Sequence, residues 1–327
     1  IQIRLVGSEM CIRDRVYTAE PEQEGIRTVT LKRAGQQGIV GVAHKSPSAT
    51  DPDAPAFMVL SSILSSGKNS RFYKNITDKG LTTSVYIWDS LFMDPGLFTV
   101  YANLSPDVDH KTVEKAIVDE YEKIKKDGVT EEEVKKAQAQ LVASMKFSQD
   151  GSYAIASGLN EAIASGDWTL YTTYGERIKA VTKEDIKRVV NKYFLEDLST
   201  VGYFIPLGSG EQGEKSATSA KQLEKMKIKN LTTEEEVLSS KIIDTEPVKG
   251  IRLLTLKRGT GVVTMRGSML GGDIYSTKNK RTADMVAAML DQGTTNMSMF
   301  EISEKLESAG ARLGFFNGQA RVGFSGK

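Results

Sequence analysis

DPDAPAFMVLSSILSSGKNSRFYKNITDKGLTTSVY, residues 51–86, holds the change of period on which the fold turns. Asp51 and Pro52 mark a helix start, and Phe57, Leu60, Ile63 and Leu64 recur at three and four. That spacing predicts a helix with one apolar face, ended by Gly67. A second short helix is expected over 70–79, stopped by Gly80. LTTSVYIWDS (81–90) then takes up the alternation of a strand. DPG (94–96) turns the chain into another, LFTVYANL (97–104). Upstream, RTVTLKR (27–33) and GIVGVAH (38–44) alternate and carry β-branched residues, so two strands precede the helices.

Downstream the character changes. Residues 107–127 place Val113, Ile117, Tyr121 and Ile124 on one helical face. GVTEEEV (128–134) is a helix start with Thr130 at the N-cap and Glu133 at N3, and the helix is expected to run to 147. SYAIASGLNEAIASG (152–166) continues helical, and another helix is expected over 169–179. VTKEDIKRVVNKYF (181–194) repeats the capping signal through Thr182 and Asp185. STVGYFIPL (199–207) reads as a closing strand. The block 17–207 is therefore α+β, a mainly antiparallel sheet under a helical layer.

Residues 208–248 are poor in apolar side chains and read as an interdomain linker, with one short helix around 218–228. From 249 to 327 a second order begins. IRLLTLKR and GVVTMRGSM are expected strands, TADMVAAML and MFEISEKLESAG helices, and ARLGFFNG with ARVGFSG a hairpin. The order β-β-α-α-β-β echoes that of 27–104, weakly in residues and clearly in topology. The reading is a duplicated α+β unit whose second copy is truncated. Residues 1–16 stand apart. The chain opens on Ile1, and IQIRLVGSEMCIRD has no helical or strand period, so this arm is read as non-native or disordered and the chain as a fragment.

Composition narrows function. Lys plus Arg number 43 and Asp plus Glu 42, a net charge of +1, which speaks against a chain built to grip nucleic acid. One Cys excludes an internal disulfide and a four-cysteine zinc site, and two His exclude a three-histidine centre. No apolar run is long enough to predict a transmembrane helix. LSSGKNS (64–70) lacks the first Gly of a phosphate loop and carries Asn69 in place of Ser or Thr, so it reads as a helix end and turn. GSMLGG (267–272) is no dinucleotide fingerprint either. His44 is expected to be structural and His110 a solvated first-turn residue. Trp88 and Trp168 are expected as core or interface anchors, and Cys11 as a lone thiol without function.

The strings 51–86, DPGLFTVYANLSPD (94–107) and GVTEEEVKKAQAQL (128–141) resemble, in order and spacing, the second domain of the insulinase/pitrilysin peptidases. These are the inverted-motif zinc metallopeptidases, whose relatives include the mitochondrial processing peptidases and the bc1 core proteins. Residues 250–319 resemble the start of another domain of that family, the kind in which active members carry H-x-x-E-H. Two His one turn apart can bind one zinc, and the Glu beside the second takes a proton from the metal-bound water. Laid on this sequence, the first His position is Asp284, the general base is Ala287 and the second His is Ala288. The further Glu ligand of the motif, roughly 75 residues on, would fall beyond Lys327. The motif is degenerate, so the resemblance implies no catalytic, cofactor-binding or metal residue in this chain.

The Arg and Tyr with which active members hold substrate correspond to Thr77 and Thr83. Arg71 and Tyr73 are out of phase and read as packing and turn residues.

What the resemblance implies is a non-catalytic scaffold and chamber wall of a zinc-dependent endopeptidase acting on peptides. Zinc would lie in a first domain outside this chain, and the partners would be the first and fourth domains or a homologous subunit. The alternatives are an inactive paralogue acting as partner or structural subunit, and an unrelated small-molecule binding domain. An exported, periplasmic setting is the expected location, with the cytoplasm as alternative. An H-x-x-E-H encoded upstream of residue 17 separates the first two readings.

Overall fold

The computed structural model describes residues 23–149, 151–207, 242–257, 262–275 and 281–327. The expectations for residues 1–16, for Cys11, for the linker over 208–241 and for its helix around 218–228 lie outside the described residues.

Strands β1 (Arg27–Ala34), β2 (Ile39–Ser46), β3 (Thr82–Asp89), β4 (Gly96–Leu104) and β5 (Ser199–Leu207) form one sheet in the order β1-β5-β2-β4-β3. Every pairing is antiparallel except β1 with β5. Although β1 and β2 follow each other in sequence, they do not pair. The closing strand β5 is inserted between them, parallel to β1 and antiparallel to β2.

Alternation decides which face is covered. Val40 and Val42 of β2, Phe98, Val100, Ala102 and Leu104 of β4, and Val201 and Tyr203 of β5 point to one side and are buried. Helices α1 (Ala54–Ser65), α2 (His110–Asp127), α3 (Glu131–Phe147), α4 (Ser152–Ala164), α5 (Leu170–Lys179) and α6 (Lys183–Tyr193) follow in the chain. Phe57, Leu60, Ile63 and Leu64 of α1, Val113, Ile117, Tyr121 and Ile124 of α2, and Ile186, Val189 and Val190 of α6 join one cluster with the sheet. Each such side chain removed from water contributes about 1.5–3 kcal/mol. Phe57 meets Phe98 at 5.7 Å, Tyr193 at 5.1 Å and Phe194 at 5.7 Å between ring centroids. The helix starts follow their caps. Thr130 with Glu133 and Thr182 with Asp185 close full capping boxes, and Asp109 accepts from the Thr112 amide. Gly128, at φ +78°, ends α2 in a conformation that side chains disfavour. The expected helix over 70–79 is realised around a π-helical turn, Tyr73–Thr77.

Among the described residues, no element covers the opposite sheet face. Tyr86 stacks on Tyr101 at 5.3 Å, and Trp88 is 63% exposed. Trp168 is 58% exposed. Of the expectation that the tryptophans are core or interface anchors, the core placement is therefore corrected. Trp88 alternates onto the uncovered side of β3, and Trp168 sits in the turn before α5.

The stretch read as linker ends in a strand. β6 (Ile242–Val248) forms a hairpin with β7 (Ile251–Leu256) across Gly250, at φ +87°. β8 (Met265–Leu270), β9 (Leu313–Asn317) and β10 (Arg321–Gly326) make a three-stranded antiparallel sheet in the order β8-β10-β9. Helices α7 (Thr282–Met289) and α8 (Met299–Ser308) lie between β8 and β9 in the chain. The order β8-β10-β9 repeats β2-β4-β3. The residue echo is also stronger than topology suggested: GIRTVTLKR (25–33) and GIRLLTLKR (250–258) agree at seven of nine positions. What differs is the third strand of the set. β1 joins its sheet through β5, whereas β7 pairs with β6 and, among the described residues, no strand lies beside it and β8 together. No described helix is long and apolar enough to cross a membrane.

Candidate functional site

Helix α7 carries the degenerate metal positions. Thr282 and Ala283 begin it after Arg281, and Ala283 and Ala287 turn inward while Asp284 and Ala288 stay exposed. Asp284 and Ala288 are one turn apart, the geometry that two metal-binding His would need. Asp284 is already engaged: its Oδ1 accepts from Asn317 Nδ2 at 2.8 Å, and the same amide donates to Asp273 Oδ1 at 2.7 Å. The methyl groups of Ala287 and Ala288 hold no lone pair for a metal and no base for a water. Among the described residues no three His, Cys, Asp or Glu side chains converge. These positions do not fit zinc, and no step through a metal follows from them.

The positions matched to a substrate-holding Arg and Tyr are tied up locally. Thr77 Oγ1 lies 3.1 Å from Thr82 Oγ1 at the end of the π-helical turn, and Thr83 Oγ1 accepts from Gln37 Nε2 at 2.7 Å. Neither carries a charge or an aromatic ring. Arg71 has a different task. Its guanidinium makes two bonds to Glu133, at 2.7 and 2.9 Å, and one to the Gly128 carbonyl at 3.2 Å. Glu133 also closes the α3 cap by accepting from the Thr130 amide at 2.8 Å. Burial opposes the Glu133 charge, but the Arg71 bonds outweigh it and hold the carboxyl below the usual range. Arg71 thus fastens the chain after α1 to the start of α3.

The two histidines differ. His44 is 3% exposed, packed on Phe194 at 4.9 Å and on Tyr121 at 5.6 Å, with Nδ1 unpartnered. Burial, aided by the positive field of Lys125, lowers its pKa to about 4. It is a neutral core residue. His110 is not simply solvated, as expected. Its Nε2 lies 2.8 Å from the Phe204 carbonyl and pins the start of α2 to β5. The Asp89 carboxylate and the hydroxyls of Tyr121 and Tyr174 are among the groups buried without hydrogen-bond partners. Asp89 is raised to about 7 by burial, and Tyr174 is pushed up to about 12, chiefly by burial.

The Gly-Lys-Asn-Ser turn does what the sequence reading gave it, ending α1, with Gly67 at φ +81° and Ser70 Oγ donating to the Gly67 carbonyl at 2.8 Å. It also does something unforeseen. Lys68 Nζ pairs with Asp291 at 3.0 Å, and Asn69 Nδ2 donates to the Phe300 carbonyl at 3.0 Å. Lys136 of α3 pairs with Glu304 at 3.0 Å and lies 4.0 Å from Glu307. The local signal was present as Glu301, Glu304 and Glu307, three acids at spacing three. Nothing in that spacing names the lysines they meet.

Residues 12–141 match the family model of the peptidase M16 inactive domain. The zinc protease PqqE of Helicobacter pylori is 27% identical over 192 residues, 58% of this chain and 43% of that protein. The probable mitochondrial-processing peptidase subunit beta of Arabidopsis thaliana is 30% identical over 165 residues, 47% of this chain and 31% of that one. A crystal structure of a protease from Helicobacter pylori superposes with a TM-score of 0.56 and 26% identity, over 58% of this chain and 46% of that chain. The chain spans less than half the length of either curated relative. These matches make the first block similar to the non-catalytic domain of the insulinase/pitrilysin peptidases found in zinc-protease-like proteins.

Proposed function

We propose that this chain supplies wall and hinge to a peptide-degrading zinc endopeptidase whose metal is held by another domain. The observation that carries the reading is the match of residues 12–141 to an inactive peptidase domain. The sequence resemblance that puts the metal motif at Asp284, Ala287 and Ala288 accords with it, and Asp284 is bonded to Asn317. In this reading the sheet and helix layer of 23–207 is a rigid wall, and the stretch before β6 connects it to the second block. Peptide would enter as the two blocks separate and be enclosed as they close.

The test is metal and peptide chemistry on the chain itself. Dialysed protein should hold far less than one zinc per chain and leave a quenched fluorogenic peptide uncut. One tight zinc per chain, lost in Asp284→Ala, would overturn the reading. Sequencing the gene upstream of residue 17 gives the second arm. An H-x-x-E-H there supports the peptidase, and a degenerate motif favours a paralogue that partners a catalytic subunit.

A further inference from the structure

The turn that ends α1 is occupied by helix α8, and the fit is both steric and electrostatic. On the first block, Lys68 and Lys136 present two ammonium groups. On the second, Asp291, Glu304 and Glu307 present three carboxylates to them, at 3.0, 3.0 and 4.0 Å. Glu307 is 9% exposed, and burial raises its pKa against the opposing pull of Lys136 and of Asn69.

The two blocks come close at two glycines. A Cβ on Gly67 would meet the end of the Glu307 side chain, which can move, and the φ of +81° at Gly67 calls for glycine in any case. The tighter fit is at Gly310, where a Cβ would stand 2.8 Å from the Ala143 Cβ and 3.0 Å from the Ala139 carbonyl oxygen. Ala139 and Ala143 lie one turn apart on α3. An aromatic contact joins the blocks beside them, a Phe300 ring 6.4 Å from Tyr73 and 5.7 Å from the Lys74 ammonium.

We infer that the Gly67–Ser70 turn and Lys136 form a docking socket for the acidic face of α8, and that this contact is a reversible electrostatic latch between the two blocks. Charge complementarity supplies the partner choice, and Gly310 against Ala139 and Ala143 supplies the close approach. A contact resting on part-exposed ion pairs opens without unfolding either side. Glu307 Oε2 has no hydrogen-bond partner in the closed seat, which leaves the closed state poised rather than saturated. The latch rests on this geometry alone, so it stands or falls independently of the peptidase reading. If that reading holds, the latch sets when the wall and the second block separate.

Zero-length carbodiimide cross-linking of the whole chain tests it, with the Lys68–Asp291 link as reporter, measured by mass spectrometry. Wild type should form the link at about 0.01 M salt and lose it several-fold at about 1 M, as the screening length falls from about 30 Å to about 3 Å. Lys136→Glu should lower the reporter several-fold, and the exchange Lys136→Glu with Glu304→Lys should restore it. A reporter unaffected by Lys136→Glu, or a loss that the charge exchange fails to restore, overturns the latch.

Discussion

Two regions of this molecule use nearly the same words and come to different ends. GIRTVTLKR begins one and GIRLLTLKR the other, and both continue into a three-stranded antiparallel order with two helical segments before its hairpin. The first is buried around Phe57, Phe98, Tyr121 and Phe194. Of the apolar residues buried in the described structure, only Ala283 and Ala287 belong to the second, while Leu253, Leu254, Met269 and Val286 are exposed. A strand pattern is enough to form a hairpin. It is not enough to form a core, which needs a layer from elsewhere in the chain to cover the face. In the first block α2, α6 and β5 provide that layer.

The sharpest way to break the comparison is to cut equivalent apolar side chains in the two regions. Phe57→Ala should destabilise the first block by about 3–5 kcal/mol, measured by urea denaturation. An equal loss from Leu253→Ala would show that the second block has a comparable core.

Acid should act next, and only on the first block. The folded His44 pKa, about 4, lies below its unfolded value of 6.5. Above pH 6.5 the group is neutral in both states and contributes nothing. Between 6.5 and 4 the unfolded chain takes up a proton that the folded chain refuses, so stability falls by about 1.4 kcal/mol per pH unit, roughly 3 kcal/mol in all. His44→Phe should flatten that limb of the stability curve. Asp89 works in the other direction. Its folded pKa is raised by burial to about 7, so the folded state keeps its proton where the unfolded chain has lost it. Stability from this group therefore declines as pH rises from about 4 to about 7. Asp89→Asn should remove the decline, read from denaturation midpoints across that range. A midpoint slope unchanged in the variant would place the titration elsewhere.

Smaller effects sharpen the contrast. Thr130→Ala and Ser298→Ala remove the same capping box in the two regions, each by about 1 kcal/mol. The first should be absorbed into global stability, and the second should appear only as faster exchange of the first α8 amides. Smallest is the general gradient: native-state hydrogen exchange should show weaker protection over 242–327 than over 23–207. Equal protection would mean that docking, and not only the core, stabilises the second block.

Much of this was legible from residues alone. The period of Phe57, Leu60, Ile63 and Leu64, the Thr130 and Thr182 boxes, and the strand Ser199–Leu207 all appear in the structure where the pattern puts them. The core placement of Trp88 and the solvated reading of His110 failed for one reason. A side chain's exposure depends on which sheet face is covered and on which carbonyl comes within reach, and neither is local.

Sequence by itself determined the helices and strands and their caps, since these depend on residues within about one helical turn of each other. Tertiary structure alone decided that β5 would part β1 from β2, that the helices would cover the Val40 and Phe98 face of the sheet, and that α8 would sit at the Gly67–Ser70 turn. Lys68 and Asp291 are 223 residues apart. Such a pair is chosen by the whole packed fold, after the loops between have been closed, and no local pattern encodes the choice.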